Sequence, residues 1–246
     1  MLLPQGCAMK PTIPTMLSFN GGYVDAAGFL ALQGLFTAHV TGNFVTIGAA
    51  LVFGTSGVIA KLLALPVFCI VIIGSRLASF KLPRRWPVLE TMLTLELLLL
   101  IVGAVLAIRL GPFANGDRWP AITTGMTLVS AMAIQNAVHR IHLRTAPPPT
   151  LMTGTTTQIM IDIADLMRGL PANTRDAIRA RLRRLCIAVG TFAAGAAVGA
   201  LLFSTIGRWC FIVPPFVALL TRLSAKSVPV TSGNTRTGPQ SAALAP

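Results

Sequence analysis

Six stretches of this sequence are apolar over 15 to 21 residues: 17–36, 57–75, 88–108, 119–137, 186–206 and 209–223. Crossing the hydrocarbon core of a bilayer takes ~20 such residues as a helix, so runs of this kind confine the chain to a membrane architecture. The composition agrees. Only 11% of the residues are charged, against roughly 25% in soluble domains, and the mean hydropathy is +0.74. A net charge of +13 would suggest nucleic acid in a soluble chain. Here the basic residues stand between apolar runs, where they orient a protein against an anionic inner leaflet. Nucleic-acid binding is therefore excluded as a reading.

Within the first run sits one carboxylate, Asp25, followed by Thr41-Gly42-Asn43. A second copy of the arrangement appears about 110 positions later, where Asn136 closes an apolar run and Thr153-Gly154-Thr155 follows. Asp25 precedes Gly42 by 17 residues and Asn136 precedes Gly154 by 18. The rows Thr37-Ala-His-Val-Thr-Gly-Asn-Phe-Val-Thr-Ile and Thr150-Leu-Met-Thr-Gly-Thr-Thr-Thr-Gln-Ile match weakly in identity and closely in spacing. An internal duplication is the reading that this spacing supports.

Two short segments, 39–54 and 150–167, carry the repeated tripeptides. Charge counting decides whether they cross. If both dip in and return, with the N-terminus inside, sixteen basic residues lie inside and four outside; full crossing gives thirteen against seven. The inside-positive bias favours the first arrangement. The expected fold is all-α, with about six transmembrane helices as two inverted three-helix repeats, each with a short re-entrant or broken segment. Residues 1–16 are expected to be a cytoplasmic segment, 17–110 the first repeat, 111–118 an external connector, 119–224 the second repeat, and 225–246 a disordered cytoplasmic tail. Inverted repeats are the architecture of many transporters, with sites where broken helices meet. Duplication without transport is the plainer alternative.

An ionisable group in lipid usually faces a cavity or a partner. Asp25 is expected either to bind a proton or cation, or to be satisfied by local backbone amides or by a base such as Arg76. Glu96 is expected to pair with a loop arginine. Lys61 is expected to snorkel from the outer end of its helix, and Gly21-Gly22 to break the first helix. In the Thr-Gly pairs, glycine permits a turn and threonine satisfies freed backbone. The candidate solute or proton site comprises Asp25, His39, Thr41, Gly42, Asn43, Gln135, Asn136, Thr153, Gly154, Gln158 and Asp162.

The run Phe19-Asn-Gly-Gly-Tyr-Val-Asp-Ala-Ala-Gly-Phe-Leu, followed by Ala38-His-Val-Thr-Gly-Asn-Phe-Val, resembles the bacterial YoaK family. So do Ala133-Ile-Gln-Asn-Ala-Val and Leu151-Met-Thr-Gly-Thr-Thr-Thr-Gln. The resemblance covers nearly all of the chain but the ends. It implies a multi-pass protein of the bacterial inner membrane, catalogued as a domain of unknown function, and brings no substrate.

No catalytic motif stands in a suitable context. His39, His139 and His142 lack metal-ligand spacing, and the four cysteines lack CxxC spacing. No enzyme, metal or cofactor is expected. Thr191, Gly195 and Gly199 recur every four residues and suit close helix packing, within the chain or in a homodimer. Arg175, Arg179, Arg181, Arg183 and Arg184 are expected on a helix that begins at Asn173 or Thr174, ends at Leu185 and faces anionic inner-leaflet lipid. The function expected is a permease for a small solute or ion; a passive channel and a non-transport scaffold or accessory subunit are the alternatives.

Overall fold

The computed structural model describes residues 12–81, 87–143, 152–169 and 171–226. Among the described residues every regular element is helical: α1 (Ile13–Ala31), a 3-10 turn (Val40–Gly42), α2 (Asn43–Phe53), α3 (Val58–Lys81), α4 (Val88–Leu110), α5 (Trp119–His142), α6 (Met152–Arg168), α7 (Ala172–Ile206), a second 3-10 turn (Gly207–Ile212) and α8 (Val213–Lys226). Four stretches are long and apolar enough to cross a membrane: Val58–Lys81, Val88–Leu110, Trp119–His142 and Thr174–Ala225, the last joining α7 to α8. The protein is membrane-embedded. Of the expected tail, residues 227–246 lie outside the described residues, and 225 and 226 close α8.

The helices form a bundle with two distinct ends. At the proximal end Ile13 and Leu17 of α1, Val88 and Met92 of α4, Val138 and Ile141 of α5, and Ala225 of α8 pack into one apolar cluster. At the distal end polar contacts tie the connections together. Gln33 Nε2 donates to the Phe113 carbonyl at 2.9 Å, and the Gly116 amide donates to Ser56 Oγ at 3.0 Å. Asp117 accepts from the Gly57 and Ile59 amides at 2.7 Å each, capping α3 from the α4–α5 connection. Arg208 donates to the Gly111 carbonyl. Residues 33 and 57 thus sit at one end, so the chain between them leaves the distal end and comes back to it.

α1 stops at Ala31, five residues before the apolar run does. Gln33 (φ 55°) and Gly34 (φ 82°) are both left-handed and turn the chain back on itself. Gln33, unlike glycine, is strained there; its bond to Phe113 holds it. The expected break at Gly21-Gly22 does not occur, and α1 is continuous through both. Gly22 instead serves packing. A Cβ on it would lie 2.1 Å from the Phe192 carbonyl oxygen, and one on Gly195 would lie 2.0 Å from that of Phe19. Together with Gly199, beneath Tyr23, these glycines let α1 and α7 meet backbone to backbone, parallel to each other. The small-residue face of α7 is therefore filled by α1 of the same chain, and a second copy would have to dock elsewhere.

Two other expectations change. The arginine-rich segment is not a separate helix capped at Asn173 or Thr174. It opens α7 after Pro171 and runs unbroken into the apolar part, because nothing between Leu185 and Cys186 breaks a helix. Lys61 does not snorkel outward. Its side chain is buried, with its ammonium against Gly34 and Gly57 near Asp117, since those two glycines leave the room.

Candidate functional site

Asp25 lies six residues before the end of α1, about 9 Å below it at 1.5 Å per residue. There its carboxylate is the anchor for the returning chain. Oδ1 accepts from the backbone amides of Thr37 and Ala38, both at 2.8 Å, and Oδ2 meets His39 Nδ1 at 2.7 Å. Asn43 closes the hairpin on itself: its Oδ1 accepts from the Phe36 amide at 2.8 Å and its Nδ2 donates to the Phe36 carbonyl at 2.9 Å. Amides freed where helix stops must find acceptors within the protein at this depth. Asp25 and Asn43 supply them. Of the alternatives open from the residues alone, backbone amides with a histidine prevail over Arg76 as the partner of Asp25.

The turn Val40–Gly42 forms the tip of the hairpin, and α2 climbs from it. Gly42 packs closely there: a Cβ on it would lie 3.0 Å from the Phe36 ring, which would have to shift. His39 stands edge-on to Phe192 of α7, with ring centroids 5.1 Å apart, and its side chain is 26% exposed. That exposure faces a cleft of about 390 Å³ lined by Ala38–Thr41 of the tip, Phe68, Ile72 and Arg76 of α3, and Asn136, Arg140 and Ile141 of α5. The cleft reaches from the Asp25–His39 pair toward the proximal end, where Arg76 and Arg140 stand. Neither arginine makes an ion pair among the described residues; Arg76 lies 4.3 Å over the Phe80 ring. The cleft thus combines apolar walls with one side-chain amide, an imidazole and two guanidinium groups.

The structure thus brings together Asp25, His39, Thr41, Gly42, Asn43 and Asn136. It places the others apart. Gln135 is buried on the next face of α5, toward α1 and α4. Thr153 and Gly154 are exposed near the start of α6, and nothing lies within 4 Å of a Cβ built on Gly154. Thr150, the first residue of the second row, lies outside the described residues. Gln158 and Asp162 belong to an ion-paired joint between α6 and α7: Arg181 Nη2 and Nε donate to Asp162 at 2.6 and 3.0 Å, and Gln158 Nε2 donates to it at 2.7 Å. Arg181 holds the Asp162 carboxyl below its ordinary value of 3.8. Glu96, expected to pair with an arginine, makes no ion pair among the described residues and is fully buried.

Arg140 and Arg181 were not legible as site residues, and Arg76 was legible only as a possible partner of Asp25. In the sequence they are indistinguishable from orienting charges; only proximity to His39, Asn136 and Asp162 separates them.

The description of a family of proteins of unknown function, DUF1275, matches residues 13–224. The chain belongs to the DUF1275 family. Its matched span contains every helix described for the chain except the last two residues of α8, so the cleft, the hairpin and the α6–α7 joint all fall within the family domain. No curated protein and no solved structure matches the chain.

Proposed function

We propose that this DUF1275 protein is a permease that moves a small anionic solute through the cleft between α3, α5 and the hairpin tip. The observation that carries the reading is the cleft itself: the partly exposed His39 imidazole, bonded to the buried Asp25 carboxylate, at one end, and toward the other two arginines that make no ion pair among the described residues. His39 and Asn136 would contact the solute, Arg76 and Arg140 would attract it, and Asp25 would hold the tip in register. The distal end, pinned by Asp117, Ser56 and Gln33, is the closed gate in this conformation.

Matching helix contacts in the two halves of the chain support the reading. Pairing α1 with α5, α2 with α6, α3 with α7 and α4 with α8 maps the helix contacts onto one another. α1 packs on α7 as α5 packs on α3; α1 meets α8 as α5 meets α4; α2 leans on α3 as α6 leans on α7. Asp25 and Asn136 each stand six residues before their helix ends. On this reading six helices cross, α2 and α6 return to the side they leave, and the halves enter from opposite faces. The motifs shared with the YoaK family agree with a bacterial inner-membrane protein. Arg179 and Arg184, exposed on α7 at the proximal end, would face anionic lipid there and put both chain ends in the cytoplasm.

The test is uptake into proteoliposomes of radiolabelled nitrate, phosphate, sulphate and short carboxylates. Saturable flux of one of them, reduced at least tenfold by Arg76→Gln with Arg140→Gln in folded protein, is expected. Unsaturable unitary currents in planar bilayers would make it a channel. Absence of flux, with a stoichiometric protein partner on purification, would make it a scaffold.

A further inference from the structure

A second polar feature lies on the other face of α5 from the cleft, and the transport reading does not use it. Glu96 of α4 and Asn20 of α1 are at most 1% exposed and Gln135 of α5 is 2% exposed. Both carboxyl oxygens of Glu96, both amide atoms of Asn20 and Oε1 of Gln135 lack hydrogen-bond partners among the described residues. Asn20 stands near enough to Glu96 to act on its charge.

The surrounding core shows that the three residues share one layer. On the distal side they are covered by Tyr23 and Val24 of α1, Leu100 of α4, Ala131 and Met132 of α5, and Ala218 of α8. On the proximal side they are covered by Leu17, Met92, Leu93, Ile134 and Val138. Thr221, the α8 residue between those two cores, spends its hydroxyl on the Val217 carbonyl of its own helix. A polar layer is thus sealed between two apolar ones.

An unpaired carboxylate in such a place costs many kcal/mol unless it is neutralised. The charged and titratable groups around it do not supply the neutralising charge. Arg222 of α8 donates to Thr94 Oγ1 at 2.7 Å, about half a turn toward the proximal end and on a hydroxyl rather than on Glu96. His139 of α5 lies one turn from Gln135 in the same direction, with both ring nitrogens unpartnered among the described residues. Tyr23 of α1 donates to the Cys210 carbonyl at 2.8 Å. Asp25 is committed to the hairpin, and Glu90 lies at the start of α4. A proton neutralises this layer with only the groups present. Bound to a Glu96 oxygen, it forms an O–H bond that cancels the charge and can be donated to Asn20 Oδ1 or Gln135 Oε1, each an acceptor without a donor.

We propose that Asn20, Glu96 and Gln135 form a proton-binding site, with Glu96 carrying the proton at neutral pH. If the permease reading holds, this is the coupling proton, taken up and released when α1 and α4 part; the site itself stands without that reading.

The chain has only two glutamates, Glu90 and Glu96, which makes a direct measurement available. Protein made with glutamate carrying 13C at the side-chain carboxyl, in lipid nanodiscs, is examined by infrared spectroscopy. At pH 7 about half of the labelled signal is expected in the protonated-acid band. That band should be the whole signal in Glu90→Gln and be absent in Glu96→Gln. The Glu90→Gln protein reads Glu96 without altering it, so the test survives if Glu96→Gln does not fold. A labelled signal entirely in the carboxylate bands at pH 7 overturns the proposal. So does conversion of the acid band to carboxylate on adding sodium at fixed pH, which would make the layer a sodium site. Loss of flux with the acid band intact would count against the permease and leave the proton site standing.

Discussion

Replacing Asp25 with alanine and with asparagine separates a structural anchor from a charge. Alanine leaves the amides of Thr37 and Ala38 without an acceptor; both now bond Oδ1 at 2.8 Å. A buried donor left unsatisfied costs about 1–3 kcal/mol, so two cost about 2–6 kcal/mol by the same measure. His39 adds little, because its side chain is partly exposed and can turn to water. Asparagine keeps an oxygen in the position of Oδ1. Its amide nitrogen faces His39 Nδ1, which becomes the acceptor once the ring proton moves to Nε2. Only the charge assistance of the two amide bonds is lost, about 1–2 kcal/mol in all. Unfolding by sodium dodecyl sulphate in mixed micelles measures the global part, and amide exchange at Thr37 and Ala38 measures the part confined to the tip. Alanine is expected to speed exchange there by at least a hundredfold and asparagine by about tenfold. If the two variants destabilise equally and exchange at the tip is unchanged in both, the carboxylate does not anchor the hairpin.

Gly195→Leu should do more harm than an exposed-face change such as Gly190→Leu, since the first places a Cβ 2.0 Å from the Phe19 oxygen and the second meets nothing within 4 Å. A loss of about 3 kcal/mol or more, at the upper end of overpacking, is expected by micelle unfolding, and equal effects would refute the backbone contact. Asp162 contributes through a carboxyl held below its ordinary range by Arg181. That contribution is present above pH ~4 and is lost as the pH falls through the lower folded value. Wild-type protein should therefore lose stability between about pH 5 and pH 2 relative to Asp162→Asn, and parallel pH profiles would sink the pairing. Asp117→Ala removes both acceptors at the start of α3 and should cost about 1–2 kcal/mol by micelle unfolding; an unchanged stability would show that the distal clamp holds nothing.

Much of the helical architecture was readable because apolar length is a local property. Runs of about 20 residues in 88–108 and 119–137 coincide with α4 and α5, each extended by polar residues at one end. Gly195 and Gly199 were legible as packing residues for the same reason. The boundary of α1 was not, because Leu32, Leu35 and Phe36 are as apolar in a returning strand of chain as in a helix. What ends the helix is the conformation of Gln33 and Gly34. Of the candidate site, Asp25, His39, Thr41, Asn43 and Asn136 stood out as polar groups in apolar surroundings. Arg140 did not, and Arg76 did only as a possible partner of Asp25, since a basic residue at a helix end has an orienting role whatever else it does. Glu96 was legible as a buried acid but its lack of a partner was not.

Sequence by itself determined that this chain lives in a bilayer, is helical, and carries a few polar groups where lipid would forbid them. Those are consequences of transfer energy, summed residue by residue along the chain. Tertiary structure alone decided which of those groups meet: Asp25 with the amides of a returning chain, Asp162 with Arg181, and Glu96 with no partner among the described residues. Such partnerships depend on where segments 12 to 19 residues apart in the chain come to rest, and no local energy records them.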